Sequence, residues 1–186
     1  MKTFKILFAA IIIAGFATTA QADDPVNNQQ ATGEITASAV IQRAIGVIGE
    51  QGLVFSSVSP GMPKTVDTNG NVTGDGVDTG AEQAGRFLIE AFRNARVQFS
   101  LTTPSVLTHT EEENNATIPI SYSAIHNYDG DSGETGTTVN LGESNEIILD
   151  SEEDDFYVWI GGTVTPPSDA EQGTYEAEIT LTAEYN

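Results

Sequence analysis

The 186-residue sequence contains no cysteine. It offers no disulfide framework, thiol nucleophile or thiolate metal site, so stability must come from packing and backbone pairing. Cations are nearly as scarce: seven Lys and Arg face 27 Asp and Glu, a formal net charge of -20. Nucleic acids and anionic lipids are recognised by clustered Lys and Arg, and this charge balance excludes nucleic acid as a partner. Solubility in a salty medium explains the acidity more simply than an acidic ligand-binding face. Only His109 and His126 titrate near neutrality. Both lie among polar neighbours (Thr108-His109-Thr110 and Ile125-His126-Asn127), a setting that reads as a surface or loop position. No Gly-x-Ser-x-Gly elbow occurs. Carboxylates are so abundant that paired acids carry no information about acid–base chemistry. The inventory points away from an enzyme, and no cofactor is implied.

Long apolar runs are confined to the start of the chain. Lys2 and Lys5 flank the beginning of an apolar run, Ile6 to Phe16, and Ala20-Gln21-Ala22 supplies the small residues a signal peptidase reads. This is the pattern of a secretory signal peptide cleaved before Asp23. A retained anchor would need roughly 20 apolar residues. Residues 1–22 are therefore expected to be removed, leaving no membrane insertion. Asp23 to Gly33 is a polar, flexible leader, and 34–186 suits one domain with a real core.

What is present is alternation. In the last strand Tyr175, Ala177, Ile179, Leu181, Ala183 and Tyr185 share one face, and Thr174, Glu176, Glu178, Thr180, Thr182 and Glu184 share the other. Strict period two marks a strand with one buried and one wet face, whereas a helix would scatter the apolar positions. Ahead of it, Phe156 to Ile160 predicts a strand, Gly161-Gly162 a break, and Pro166-Pro167 the stop of a second short strand. Glu34 to Ile41 alternates just as cleanly, with Ile35, Ala37, Ala39 and Ile41 on one side.

Between these ends, Gly46, Gly49 and Gly52 interrupt the chain before Leu53-Val54-Phe55, a short buried strand. Asn69-Gly70 predicts a tight hairpin. Ala81 to Arg93 has a composition that permits a helix, but Phe87, Ile89 and Ala91 alternate. Val97, Phe99 and Leu101 do the same after an Arg93-Asn94-Ala95 turn, so a hairpin is expected. Further strands are expected at Val106 to Thr108, Thr117 to Tyr122, Thr137 to Leu141 and Glu146 to Leu149. About ten short strands separated by turn residues predict an all-β protein, a single antiparallel immunoglobulin-like sandwich.

One stretch has the oxygen spacing of a calcium loop: Asp67-x-Asn69-x-Asn71, with Asp78 at the twelfth position. Val72 stands where such a loop needs its glycine, and no bidentate Glu closes it. Asp129 to Glu134 and Asp150 to Asp155 are acidic clusters of the same weak kind. Hairpin turns and solvated loops explain all three, and no metal is assigned. The alternating ends say more. An exposed strand edge must be covered or it recruits another chain. Either both segments close one sandwich, or one of them is added to a neighbouring subunit, where backbone bonds give affinity and alternate side chains fill a groove.

The run Phe156-Tyr157-Val158-Trp159-Ile160-Gly161-Gly162-Thr163-Val164-Thr165-Pro166, with Gly173-Thr174-Tyr175 and Tyr185-Asn186, resembles the ending of an uncharacterised secreted bacterial family, a domain of unknown function. It also resembles the ending of chaperone–usher pilins and spore-coat U-like domains, with Gly173, Tyr175, Ala177, Ile179, Leu181, Ala183 and Tyr185 as the C-terminal strand motif. The resemblance implies a pilin-like sandwich whose last strand is gripped by a periplasmic chaperone. Ile35, Ala37, Ala39 and Ile41 would then be the donor face inserted into the next subunit. The expectation is an exported, non-enzymatic structural or adhesive protein, a fimbrial-type subunit passing through the periplasm to the bacterial surface or medium. The competing expectation is a monomeric secreted sandwich that holds calcium or a glycan in its acidic loops.

Overall fold

A computed structural model describes residues 32–39, 44–74, 80–111, 115–149, 152 and 155–186. The chain divides into two units, residues 1–39 and 40–186. The signal-peptide region, the leader up to residue 31 and residues 40–43, Ile41 among them, lie outside the described residues. In the first unit, residues 32–39 form no strand and are exposed, Ile35 to 97%. The strand expected from Glu34 is therefore not formed over its described part. Alternation sets which side chains would share a face, but an extended backbone becomes a strand only where a neighbouring ladder satisfies its N–H and C=O groups.

The second unit carries twelve strands among the described residues: β1 (Gly46–Gln51), β2 (Lys64–Val66), β3 (Val72–Gly74), β4 (Gly85–Glu90), β5 (Arg96–Thr102), β6 (Val106–His109), β7 (Thr117–Asn127), β8 (Thr137–Thr138), β9 (Ser144–Ile148), β10 (Asp155–Val164), β11 (Tyr175–Glu176) and β12 (Thr180–Tyr185). Every ladder between them is antiparallel. Among the described residues no helix is long and apolar enough to cross a membrane. The protein is all-β and sandwich-like. The larger sheet runs β1-β4-β10-β7-β6-β11, with β2 beside the end of β10, β3 beside β2, and β8 beside β7; the smaller runs β12-β5-β9.

The core lies where the sheets face each other. Phe156, Val158 and Ile160 of β10, with Ile89 and Ala124, pack against Val97, Phe99, Leu101, Ile147 and Leu181 of the smaller sheet. Phe99 and Phe156 meet with ring centroids 5.5 Å apart. Burial at roughly 25 cal/mol per Å² of apolar surface makes this cluster the chief source of cohesion.

Three sequence expectations change here. Gly161-Gly162 does not break the aromatic strand, because β10 continues to Val164 and pairs with β7 throughout that stretch. The glycines serve close approach instead: a Cβ at 161 would lie 2.7 Å from the Asp67 carbonyl carbon and 2.8 Å from the Thr68 nitrogen. The strands β4 and β5 exist as expected, but they are not a hairpin. The turn at Arg93-Asn94, with Asn94 at φ 58°, carries the chain from the larger sheet to the smaller. Alternation identifies the buried face of each strand and leaves its sheet open.

The long final strand is also divided. Its first part, β11, pairs with β6 of the larger sheet, and its last part, β12, pairs with β5 of the smaller. The segment 177–179 crosses between them and has no strand partner among the described residues. The alternation mostly survives: Leu181 is buried, Tyr175, Ile179 and Ala183 are half-buried, and Glu176, Glu178 and Glu184 are exposed. Ala177 and Tyr185 depart from it and are exposed. Smaller differences are that glycines do not prevent β1, that Leu53-Val54-Phe55 makes a single bridge at Val54, and that β7 runs on to Asn127.

Gly161→Ala is expected to destabilise the fold by about 3 kcal/mol, an overpacking cost. Gly52→Ala, where a Cβ meets nothing within 4 Å, should stay within about 0.5 kcal/mol. Urea denaturation of both variants checks the pair.

Candidate binding groove

The inner face of the larger sheet continues beyond the core just described. Phe55, Val66, Ile118, Ile120 and Val164 form a second buried cluster, with Leu53, Val58, Leu107, Tyr122 and Tyr175 against it. None of these residues comes from the smaller sheet. The cover comes from two segments, the irregular 53–58 on one side and 170–179, irregular apart from β11, on the other. They leave between them a groove of about 700 Å³, floored by Ile118, Ile120, Tyr122 and Val164. A smaller hollow of about 350 Å³, bounded by residues 49–53, Phe87 and Ile160, shares Leu53, Ala177 and Ile179 with it, so the opening runs along the seam.

Each wall is held by polar side chains as well, because a single bridge at Val54 and the short β6–β11 ladder fix little of either segment. On the first, Val54 and Gln83 exchange backbone bonds of 2.9 and 3.1 Å, and the Gln83 amide donates to the Gly52 carbonyl at 3.1 Å. Lys64 then reaches in from β2. Its Nζ donates to the Ser57 carbonyl at 3.1 Å and to Glu82 Oε1 at 2.5 Å, with both charged side chains fully buried. Glu82 Oε2 accepts the Ala81 N–H at 3.2 Å. Burying two charges is costly, and the cost is offset here by their pairing, by the Ser57 carbonyl on the ammonium and by the Ala81 N–H on the carboxylate.

The second wall rests on His109. Thr110 N–H donates to Thr174 O at 2.9 Å, and Tyr175 pairs with His109 across the β6–β11 ladder. The imidazole Nδ1 accepts the Glu111 N–H at 3.1 Å. Nε2 therefore carries the proton in the neutral ring and faces the Gln172 carbonyl at 3.3 Å. The Tyr175 ring and the imidazole meet T-shaped, centroids 5.0 Å apart, and the tyrosine hydroxyl donates to Glu171 O at 3.0 Å. A Cβ at position 173 would fall onto the imidazole, so glycine is required there.

Both histidines thus depart from the surface or loop position that their polar neighbours suggest. His109 ends β6 and is buried; His126 lies on β7, half-buried, edge-on to Phe99 at 5.7 Å and Phe156 at 6.2 Å. Burial holds the His126 pKa below its ordinary value. Thr108 and Thr110 face away from the strand's buried side, which explains how polar sequence neighbours can flank a buried ring.

The C-terminal motif is shared out along the seam. Gly173, Tyr175, Ala177 and Ile179 line the groove, Leu181 enters the core, Ala183 packs at its margin, and Tyr185 is 37% exposed. Of the donor residues, Ile35, Ala37 and Ala39 are exposed. The calcium spacing resolves differently. Asp67 Oδ1 accepts the backbone N–H groups of Asn69 and Asn71 at 2.9 and 2.8 Å, and Oδ2 accepts the Asn71 amide at 2.8 Å. Its carboxylate caps the β2–β3 hairpin, and Asp78 lies outside the described residues. Asp129 Oδ1 likewise accepts from Asp131 and Ser132. The two loops join through Thr68 Oγ1 to Gly133 O at 2.7 Å and cover Trp159, whose indole N–H lies 3.1 Å from Asp129 O. No group of three or more metal-ligating side chains occurs among the described residues.

Residues 45–185 match the family model of a domain of unknown function, DUF4402. The chain belongs to the DUF4402 family. A search of curated proteins found no match. The DUF4402 span covers every strand of the sandwich and both walls of the groove, and it leaves Ile35, Ala37, Ala39 and Ile41 outside. The uncharacterised-family part of the sequence resemblance is thereby met.

Two outcomes are expected of the DUF4402 sandwich. Lys64→Met, which strands the buried Glu82, should cost about 3–5 kcal/mol, and Lys64→Met/Glu82→Leu should recover much of it; a double-mutant denaturation cycle measures this. The unfolded chain binds a proton at His126 more readily than the folded one, so stability should fall as pH drops through the ordinary imidazole range towards the lower folded value. His126→Phe should flatten that part of a pH–stability profile.

Proposed function

We propose that this protein is an exported, non-enzymatic structural subunit of the bacterial surface, of fimbrial type, that assembles by β-strand addition. The acceptor is the groove, and the donor is the face formed by Ile35, Ala37, Ala39 and Ile41 of another copy. The observation that carries this reading is the unfinished seam: an apolar floor beside residues 177–179, which have no strand partner among the described residues. An added strand supplies backbone bonds to such an edge and side chains to such a floor.

The proposed donor fits the acceptor chemically. Its apolar side chains recur at every second residue, about 6.6 Å apart in an extended chain. Ile35, 97% exposed, has apolar surface that gains most from burial. Signal-peptide features in residues 1–22 support export. An open apolar seam on an unassembled subunit is an aggregation hazard, which supports transient cover by a periplasmic chaperone along the C-terminal strand motif. The monomeric reading, with calcium or a glycan held by acidic loops, draws less support, because Asp67 and Asp129 cap their own turns.

Deleting Asp23 to Ile41 downstream of the signal peptide should abolish surface polymers while leaving a folded, secreted monomer. Size-exclusion chromatography and electron microscopy of the surface check it. Polymers unchanged by the deletion would refute donation by this segment.

A further inference from the structure

We propose that His109 is the positioning residue of the acceptor groove, holding the 171–176 wall at the distance from the floor that an incoming strand requires. This rests on the strand-addition reading. Among the described residues the wall has a two-residue ladder, Tyr175 to His109 and Glu176 to Thr108, with one further backbone bond from Thr110 N–H to Thr174 O, and beyond it the chain runs without a strand partner until Thr180. Such a short ladder fixes little by itself.

The imidazole adds three constraints at one point. Its Nε2–H holds the Gln172 carbonyl. Its ring makes a T-shaped contact with the ring of Tyr175, which lines the groove. Its bulk fills the space beneath Gly173, so the wall backbone lies directly on the ring as on a stop. The ring cannot turn freely, because Nδ1 is engaged by the Glu111 N–H. Removing the side chain takes away the stop and the hydrogen bond together and leaves Tyr175 free to tip into the space. The groove then has to be ordered at the moment of binding, which lowers affinity.

The test uses the full exported chain carrying I35D and I41D, which disable its own donor face, and a fluorescein-labelled synthetic peptide of residues 33–42. Peptide binding is read by anisotropy, and the wall by amide hydrogen exchange. H109A and G173A should each weaken peptide binding about tenfold or more, and H109Q, whose amide can still donate to Gln172 O, should recover part of the loss. Exchange at 172–177 should accelerate in H109A while exchange in β10 stays unchanged, which separates loss of the wall from loss of the fold. H109A that binds as tightly as its parent, or unchanged exchange at 172–177, overturns the role of His109 and leaves strand addition standing. A parent protein that does not bind the peptide removes strand addition itself and this inference with it.

Discussion

The two sheets of this sandwich differ in extent. Ten residues of β10 and eleven of β7 present one continuous apolar face, and the three strands opposite cover only the end nearest Phe156. An uncovered apolar face is unstable in water, so the remainder must be covered by something that is not a strand of the smaller sheet. The chain uses segments 53–58 and 170–179, which are irregular apart from the two residues of β11 and meet incompletely. The groove follows from this mismatch in length, as does the crossing at 177–179, where the last strand leaves one sheet to join the other.

The opposite face of β10 is closed by different means. Trp159 lies beneath the hairpin loop at 67–71 and the loop at 127–135, with Arg86 5.0 Å above its ring and held to Glu50 at 2.9 Å. Gly161 lets the hairpin backbone come within contact of the strand. The acidic residues there act as turn caps, each carboxylate satisfying N–H groups that a tight loop leaves unpaired. One face of the central strand is thus sealed by short-range turn chemistry and the other is left to long-range packing, and only the second leaves space.

Period-two alternation was legible wherever a strand has one buried face, which is why β5, β6, β7, β9 and β12 stand close to where the sequence puts them. It fails where the answer depends on the partner. Alternation in 85–90 and 96–102 cannot say that the Arg93-Asn94 turn changes sheets, and alternation over Thr174 to Tyr185 cannot say that the ladder is interrupted. The segment 34–39 is the clearest instance: the pattern is that of a strand, and the described residues form none. Gly161-Gly162 failed for the opposite reason. A glycine pair is read as a break because it lacks side chains to pack, yet here that lack is what lets two backbones approach.

The groove residues were half visible. Tyr175 and Ile179 follow from alternation, and Gly173 from its motif, whereas Lys64, Glu82 and His109 carry no sequence signal of burial, since charged and imidazole side chains are usually exposed. Their burial becomes intelligible once the walls are seen to have little ladder of their own. A backbone segment over an apolar floor still has carbonyls to satisfy, and the aliphatic side chains of the floor offer them no donor. Side chains reaching from a neighbouring strand are then the available donors, and Lys64 to Ser57 O and His109 to Gln172 O are the same solution on opposite walls. Lys64 brings its counter-ion with it and fixes its wall through a buried charge pair. His109, its Nδ1 engaged by the Glu111 N–H and its Nε2 facing the Gln172 carbonyl, meets the other wall through a contact to an uncharged partner and with the bulk of its ring beneath Gly173.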